Sequence, residues 1–179
     1  MDIAFGHKTG EENFFSEDIM NIFDYAMQME TESQNFYLNL ARQSSNSGLA
    51  AVFNLLADEE AKHCKIVAEM KTKTDVKFAN TNLLSDVKEV FKKMANTEKF
   101  DFGSEQLDIY KKAQDLELKS RKFYLEKADE VEDNYKKAVF AKLAKEEEKH
   151  YFLLENIIDF VSRPKIWLEN SEWYHLEEY

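Results

Sequence analysis

The sequence predicts an all-α protein, a four-helix bundle made of two similar halves, and three observations carry that prediction. One proline and four glycines in 179 residues leave few of the breaks that a turn-rich β fold requires, while 33% charged and 44% hydrophobic residues suit amphipathic helices. Four long stretches place apolar residues at helical spacing. Finally, the chain repeats itself: LADEEAKH at Leu56 to His63 returns as LAKEEEKH at Leu143 to His150, 87 positions later. A chain of this length builds one well-buried core rather than two.

The first helix is expected over about 17–44, ending in the polar cluster SSNSG, and the second over about 49–73. A longer connection, 74–103, follows, in which LLSDVKEVFKKMA reads as a short helix of its own. The third long helix starts after FDFGS, near 104, and runs to about 131, and the fourth follows the turn EDN and lasts to about 162, just before the sole proline, Pro164. Short joins within each pair make two antiparallel hairpins, 17–73 and 104–162, and the connection between them is long enough to cross the bundle. The expected domain is thus 1–163, followed by a tail, 164–179, that carries both tryptophans and packs either on its own bundle or on a second subunit.

Charge and cysteine count exclude several function classes. A formal net charge of −11 lacks the positive field that nucleic acid or an anionic membrane surface demands, and the lysine pairs Lys92/Lys93, Lys111/Lys112 and Lys136/Lys137 lie among acids. The single cysteine, Cys64, excludes an intrachain disulfide and any four-cysteine metal site, and reads as a helix core residue. MDIAFGHKTGEENFF is not a secretory signal, and no apolar run approaches the roughly 20 residues that span a bilayer, so a cytoplasmic location is expected. His7 and His175 receive no role.

The repeat extends well beyond its opening string. Ala26, Glu30, Ser33 and Tyr37 reappear as Ala113, Glu117, Ser120 and Tyr124, and Phe53, Glu60 and His63 as Phe140, Glu147 and His150, all at the same offset. Two copies of one hairpin related by an approximate twofold axis account for this; composition does not. In the second helix the apolar stripe runs Phe53, Leu56, Glu60, His63, Val67, so an acid and an imidazole lie on the inward face, while Asp58, Glu59 and Lys62 are expected in solvent. The other three stripes turn polar at the same level, through Glu30, Glu117, Glu147 and His150.

Burying one unpaired carboxylate costs several kcal/mol, and here four share a level with no inward arginine or lysine to offset them. Two divalent ions would supply the missing charge. One Glu from each of two helices and Glu-x-x-His from each of the other two is the ligand pattern of a dinuclear carboxylate site in a four-helix bundle. Mixed carboxylate and imidazole ligands favour iron, with manganese or a mixed pair also admissible. A zinc-protease HExxH motif is absent, because positions 59 and 146 are both Glu.

These residues resemble the ferritin-like superfamily of di-iron carboxylate proteins, and within it the rubrerythrin family. MQMETESQNFY with LADEEAKH, then AQDLELKSRKFY with LAKEEEKH, carry the resemblance over roughly 23–154. It implies Glu30 and His63 as terminal ligands of one metal, Glu117 and His150 as those of the other, and Glu60 and Glu147 as bridges. Rubrerythrins usually carry a further Glu where this chain has Ser120, an acid tied in the family to peroxide-driven movement of one iron. They also usually carry a rubredoxin domain, which a chain with one cysteine does not contain. Re-reducing electrons are therefore expected from a separate rubredoxin-like protein or from the ferrous ions themselves.

Tyr37 and Tyr124 follow their carboxylates by seven residues, about 10 Å along the helix. They are either core tyrosines with incidental partners or donors that orient metal carboxylates. The leading functional expectation is a di-iron redox enzyme that reduces hydrogen peroxide or O2. Two alternatives stay open at this point, an iron-storage ferroxidase and a non-catalytic metal-binding bundle. A homodimer is expected, and the long connection permits hairpin exchange between its chains.

Overall fold

The computed structural model describes residues 14–72, 76, 78, 81–95 and 104–163. Five helices follow in order: α1 (Phe14–Gln43), α2 (Ser47–Thr72), α3 (Leu83–Ala95), α4 (Ser104–Glu130) and α5 (Asn134–Ser162). The chain is all-α, a helical bundle in which α1 packs along α2 and α4 along α5 as antiparallel hairpins, with α3 laid against α2. The tail at 164–179, His7, His175 and most of the connection on either side of α3 lie outside the described residues.

The starts of α2 and α5 differ from the sequence expectation, and both have the same cause. The α2 helix begins at Ser47 because the Asn46 side chain accepts a hydrogen bond from the Leu49 amide at 2.9 Å. The α5 helix begins at Asn134, inside the expected turn, because Asp133 is its N-cap and accepts from the amides of Tyr135 (2.8 Å) and Lys136 (3.2 Å). Asn46 and Asp133 are themselves one repeat apart, so each hairpin turns on the same capping device.

The core is interrupted. One apolar cluster joins Tyr37 and Leu40 of α1, the first half of α2, Tyr110 of α4 and the last turns of α5. The other joins Phe23 and Ala26, the last turns of α2, Tyr124 and Ala128, and the first half of α5. In each, a phenylalanine of one hairpin bridges to the other: Phe53 packs against Tyr37 and Tyr110, with ring centroids 6.4 and 5.1 Å away, and Phe140 against Tyr124 and Phe23, at 6.0 and 5.9 Å. Complete burial of such rings stabilises by about 1.5–3 kcal/mol apiece. Between the two clusters lies a layer of buried polar residues contributed by α1, α2, α4 and α5.

Helix α3 belongs to only one end of the bundle. Leu83, Val87, Phe91 and Met94 join the first cluster, and Phe91 meets Phe160 of α5 edge-on at 5.4 Å. The close approach of α3 to the start of α2 depends on Gly48, where a Cβ would collide with the Met94 side chain. Phe91→Ala empties a fully buried site and should cost about 3–5 kcal/mol. Chemical denaturation of the variant measures this; a loss below about 1 kcal/mol would show that α3 contributes little to the folded core.

Candidate metal centre

The polar layer between the apolar clusters contains the residues singled out as ligands. Glu30 of α1, Glu60 and His63 of α2, Glu117 of α4, and Glu147 and His150 of α5 are each no more than 2% exposed. Glu60 and His63 share one face of α2 by their i, i+3 spacing, as Glu147 and His150 do on α5. One ligand atom from each of Glu60, His63, Glu147 and His150 lies within 4.8 Å of the others, with Glu30 and Glu117 flanking this inner four.

The distances repeat across the two halves. His63 Nδ1 is 2.9 Å from Glu147 Oε1, 3.7 Å from Glu60 Oε2 and 3.7 Å from Glu30 Oε2. His150 Nδ1 is 2.9 Å from Glu60 Oε1, 3.8 Å from Glu147 Oε2 and 3.6 Å from Glu117 Oε2. The two imidazoles stack with centroids 5.3 Å apart and planes 14° from parallel. Each histidine therefore faces the terminal Glu of its own hairpin and the inner Glu of both.

The tyrosines reach across the molecule. Tyr37 Oη donates to Glu117 Oε1, and Tyr124 Oη donates to Glu30 Oε1. Seven residues along one helix carry a side chain about 10 Å from its own carboxylate, but α1 and α4 run in opposite directions, which brings Tyr37 level with Glu117 and Tyr124 level with Glu30. Each terminal carboxylate thus has one oxygen held by a phenol and the other turned towards an imidazole. Tyr37 and Tyr124 are wholly buried hydrogen-bond donors to carboxylates of the layer.

The profile of the rubrerythrin family matches residues 21–158, a span that contains all six of these acids and imidazoles. The chain belongs to the rubrerythrin family. The chain also resembles, in fold, the solved structure of a hypothetical protein from Pyrococcus furiosus, with a TM-score of 0.56 and 20% sequence identity over 84% of this chain and 94% of that one. No curated protein matches it.

Chemically the layer fits a cation. His63 Nδ1 and Nε2, His150 Nδ1, Glu60 Oε1 and both oxygens of Glu147 are buried without a hydrogen-bond partner. The 2.9 Å imidazole–carboxylate approaches are short yet lack hydrogen-bond alignment, and the donor atoms of both hairpins converge on a common space. Buried polar groups are rarely left in this state, and oxygen and imidazole donors are those that suit iron or manganese.

Without a cation the layer redistributes protons. Burial, with the Glu60 charge adding and His63 opposing, pushes the Glu30 carboxyl up to about 8. Burial and the neighbouring carboxylates Glu60, Glu30 and Glu117 raise Glu147 as well. Burial would also raise Glu60, but the imidazoles, His150 foremost, outweigh it and hold that carboxyl below its ordinary range. Burial disfavours charge on His63 and His150, yet Glu147 and Glu60 respectively prevail and raise both. The Tyr37 and Tyr124 phenols are raised by burial and by the Glu117 and Glu30 charges they face, so both stay protonated donors.

Two expectations are corrected, and the first is Cys64, which is half-buried on α2 rather than in the core. Secondly, Asp58 and Lys62 do lie exposed, but Glu59 is buried, at 4% exposure, and pairs with Lys62 at 2.7 Å. Its repeat partner Glu146 is buried likewise and pairs with Lys149 at 2.9 Å. Each lysine keeps its ammonium near water while its acid is covered by the bundle, an arrangement that helical periodicity alone does not reveal.

Two predictions follow from this geometry. Tyr37→Phe and Tyr124→Phe each leave one oxygen of a buried carboxylate without its donor, and should destabilise the metal-free protein by similar amounts, about 1–3 kcal/mol each. Thermal or chemical unfolding tests the equality as well as the size. The second concerns pH. Glu30, Glu147, His63 and His150 all have folded-state pKa values above their unfolded ones, so the folded chain holds the extra protons and stability falls as pH rises from about 5 through 8. Glu60 has the opposite sign, but its window lies below the ordinary carboxyl range. Chelator-treated protein should melt at least roughly 4 °C lower at pH 8.5 than at pH 6, and excess divalent metal should reverse that order because ligands bind deprotonated.

Proposed function

We propose that the polar layer holds two divalent metal ions, iron in the first instance, and that the protein reduces hydrogen peroxide or O2 there. The observation that supports the reading is the convergence of unpartnered imidazole and carboxylate atoms from both hairpins on one buried space. Glu30 and His63 would serve one ion, Glu117 and His150 the other, and Glu60 and Glu147 would be shared, since each inner carboxylate turns one oxygen towards each imidazole.

The chemistry that a bound pair of ferrous ions would supply is two electrons, enough with two protons to convert one hydrogen peroxide to two waters. The chain's own residues set the conditions for that reaction. Tyr37 and Tyr124 fix the terminal carboxylates in one orientation, so that the second oxygen of each faces the centre. The apolar clusters above and below keep bulk water from the layer and strengthen its electrostatics. Re-reduction would draw on an external donor such as a rubredoxin-like protein. Among the described residues no helix is long and apolar enough to cross a membrane.

Anaerobic titration with ferrous iron should show two ions per chain, and a stoichiometric pulse of peroxide should oxidise both rapidly. Glu60→Ala and Glu147→Ala should each lower metal affinity by more than ~100-fold, beyond the loss expected from an outer partner alone, and abolish the fast oxidation. Unchanged oxidation in either variant would refute the assignment. Sizing of the native protein separates this reading from storage: a homodimer agrees with it, whereas a many-subunit shell around a mineral would support an iron-storage ferroxidase.

A further inference from the structure

A cleft of about 350 Å³ lies between α1 and α4, and six of its eight lining residues are mates in the internal repeat, Tyr25 and Phe36 of α1 being the other two. Met29 and Leu116, Glu32 and Lys119, and Ser33 and Ser120 all line it, and each pair is separated by the repeat offset of 87. A cavity lined by symmetry mates straddles the pseudo-twofold axis. The acids and imidazoles of the polar layer are mates about the same axis, so the cleft stands over the midpoint between the two halves of the centre.

The depth of the cleft is set by its two serines. Ser33 and Ser120 are 7% and 4% exposed and sit three residues after Glu30 and Glu117, which is one helical turn, about 4.5 Å. They are the smallest side chains of the lining, placed where α1 and α4 would otherwise bring large ones together. On the opposite side, α2 and α5 carry the stacked His63 and His150 rings. Small polar residues therefore lie on one side of the centre and packed rings on the other.

We infer that the α1–α4 cleft, floored by Ser33 and Ser120, is the portal through which small neutral solutes of the size of hydrogen peroxide or O2 reach the centre. The inference rests on the proposed metal site but not on the proposed reaction. Met29 and Leu116 form apolar walls, Glu32 and Lys119 mark the mouth, and the serine hydroxyls offer hydrogen bonds to a polar oxidant at the inner end.

Nitric oxide binding to the ferrous-loaded protein tests the portal without turnover. The double variant Ser33→Phe/Ser120→Phe should retain two irons per chain and the full binding amplitude, but associate with nitric oxide at least tenfold more slowly. Lys119→Trp, at an exposed position on the mouth, is the milder plug and should slow association several-fold. Asn54→Leu, in the separate groove between α2 and α3, should leave the rate unchanged. Wild-type rates in both plugged forms would overturn the portal, and so would loss of iron from both, which would make the cleft a structural feature of the site. A protein that binds nitric oxide through this cleft yet is not oxidised by peroxide would refute the proposed reaction and leave the portal standing.

Discussion

Everything in this bundle is arranged around a single electrostatic constraint: four carboxylates and two imidazoles occupy one buried layer to which, among the described residues, no lysine or arginine contributes. The desolvation of that many acids opposes folding strongly, and the layer counters it by sharing. Imidazoles sit against carboxylates, phenols donate to the terminal acids, and some acids keep their protons. These devices are partial, as the unpartnered atoms at the centre show. The apolar clusters on either side must carry the stability that the layer does not supply.

Duplication makes this constraint tractable. A single hairpin brings one Glu and one Glu-x-x-His to the level of the layer, which is half of a centre and an open polar face. Pairing it with a copy turned about a twofold axis places every acid opposite a histidine or a tyrosine of the other hairpin. The contacts that stabilise the layer are largely between hairpins: Tyr37 with Glu117, Tyr124 with Glu30, His63 with Glu147 and His150 with Glu60. The charged centre therefore also serves as the latch between the two halves.

Much of this was legible in the sequence, and the reasons are specific. The helices follow from apolar periodicity, and the inward positions of Glu60, His63, Glu147 and His150 from their place on a 3-4-3-4 stripe. The connection of Tyr37 and Tyr124 to carboxylates was open, because a spacing of seven says which face a side chain shares but not which helix comes to meet it. The burial of Glu59 was missed for a related reason. Position 59 lies off the stripe of its own helix, and only the neighbouring helices decide how far around α2 the covered surface extends. The starts of α2 and α5 depended on Asn46 and Asp133, polar residues that serve equally in a turn or as a cap.

Helix α3 is the one described element without a counterpart in the repeat, and it lies over only one of the two apolar clusters. The bundle consequently has unequal ends. Backbone opening with partial loss of structure follows the density of buried apolar contact, so slow amide exchange should concentrate where Phe91 wedges against Phe160, and fraying should start at the end held by Phe23 and Phe140. Such breathing would loosen Tyr124 and with it Glu30 before Tyr37 and Glu117. Two chemically matched half-sites would then differ in how readily they release an ion, a kinetic polarity imposed by the scaffold rather than by the ligands.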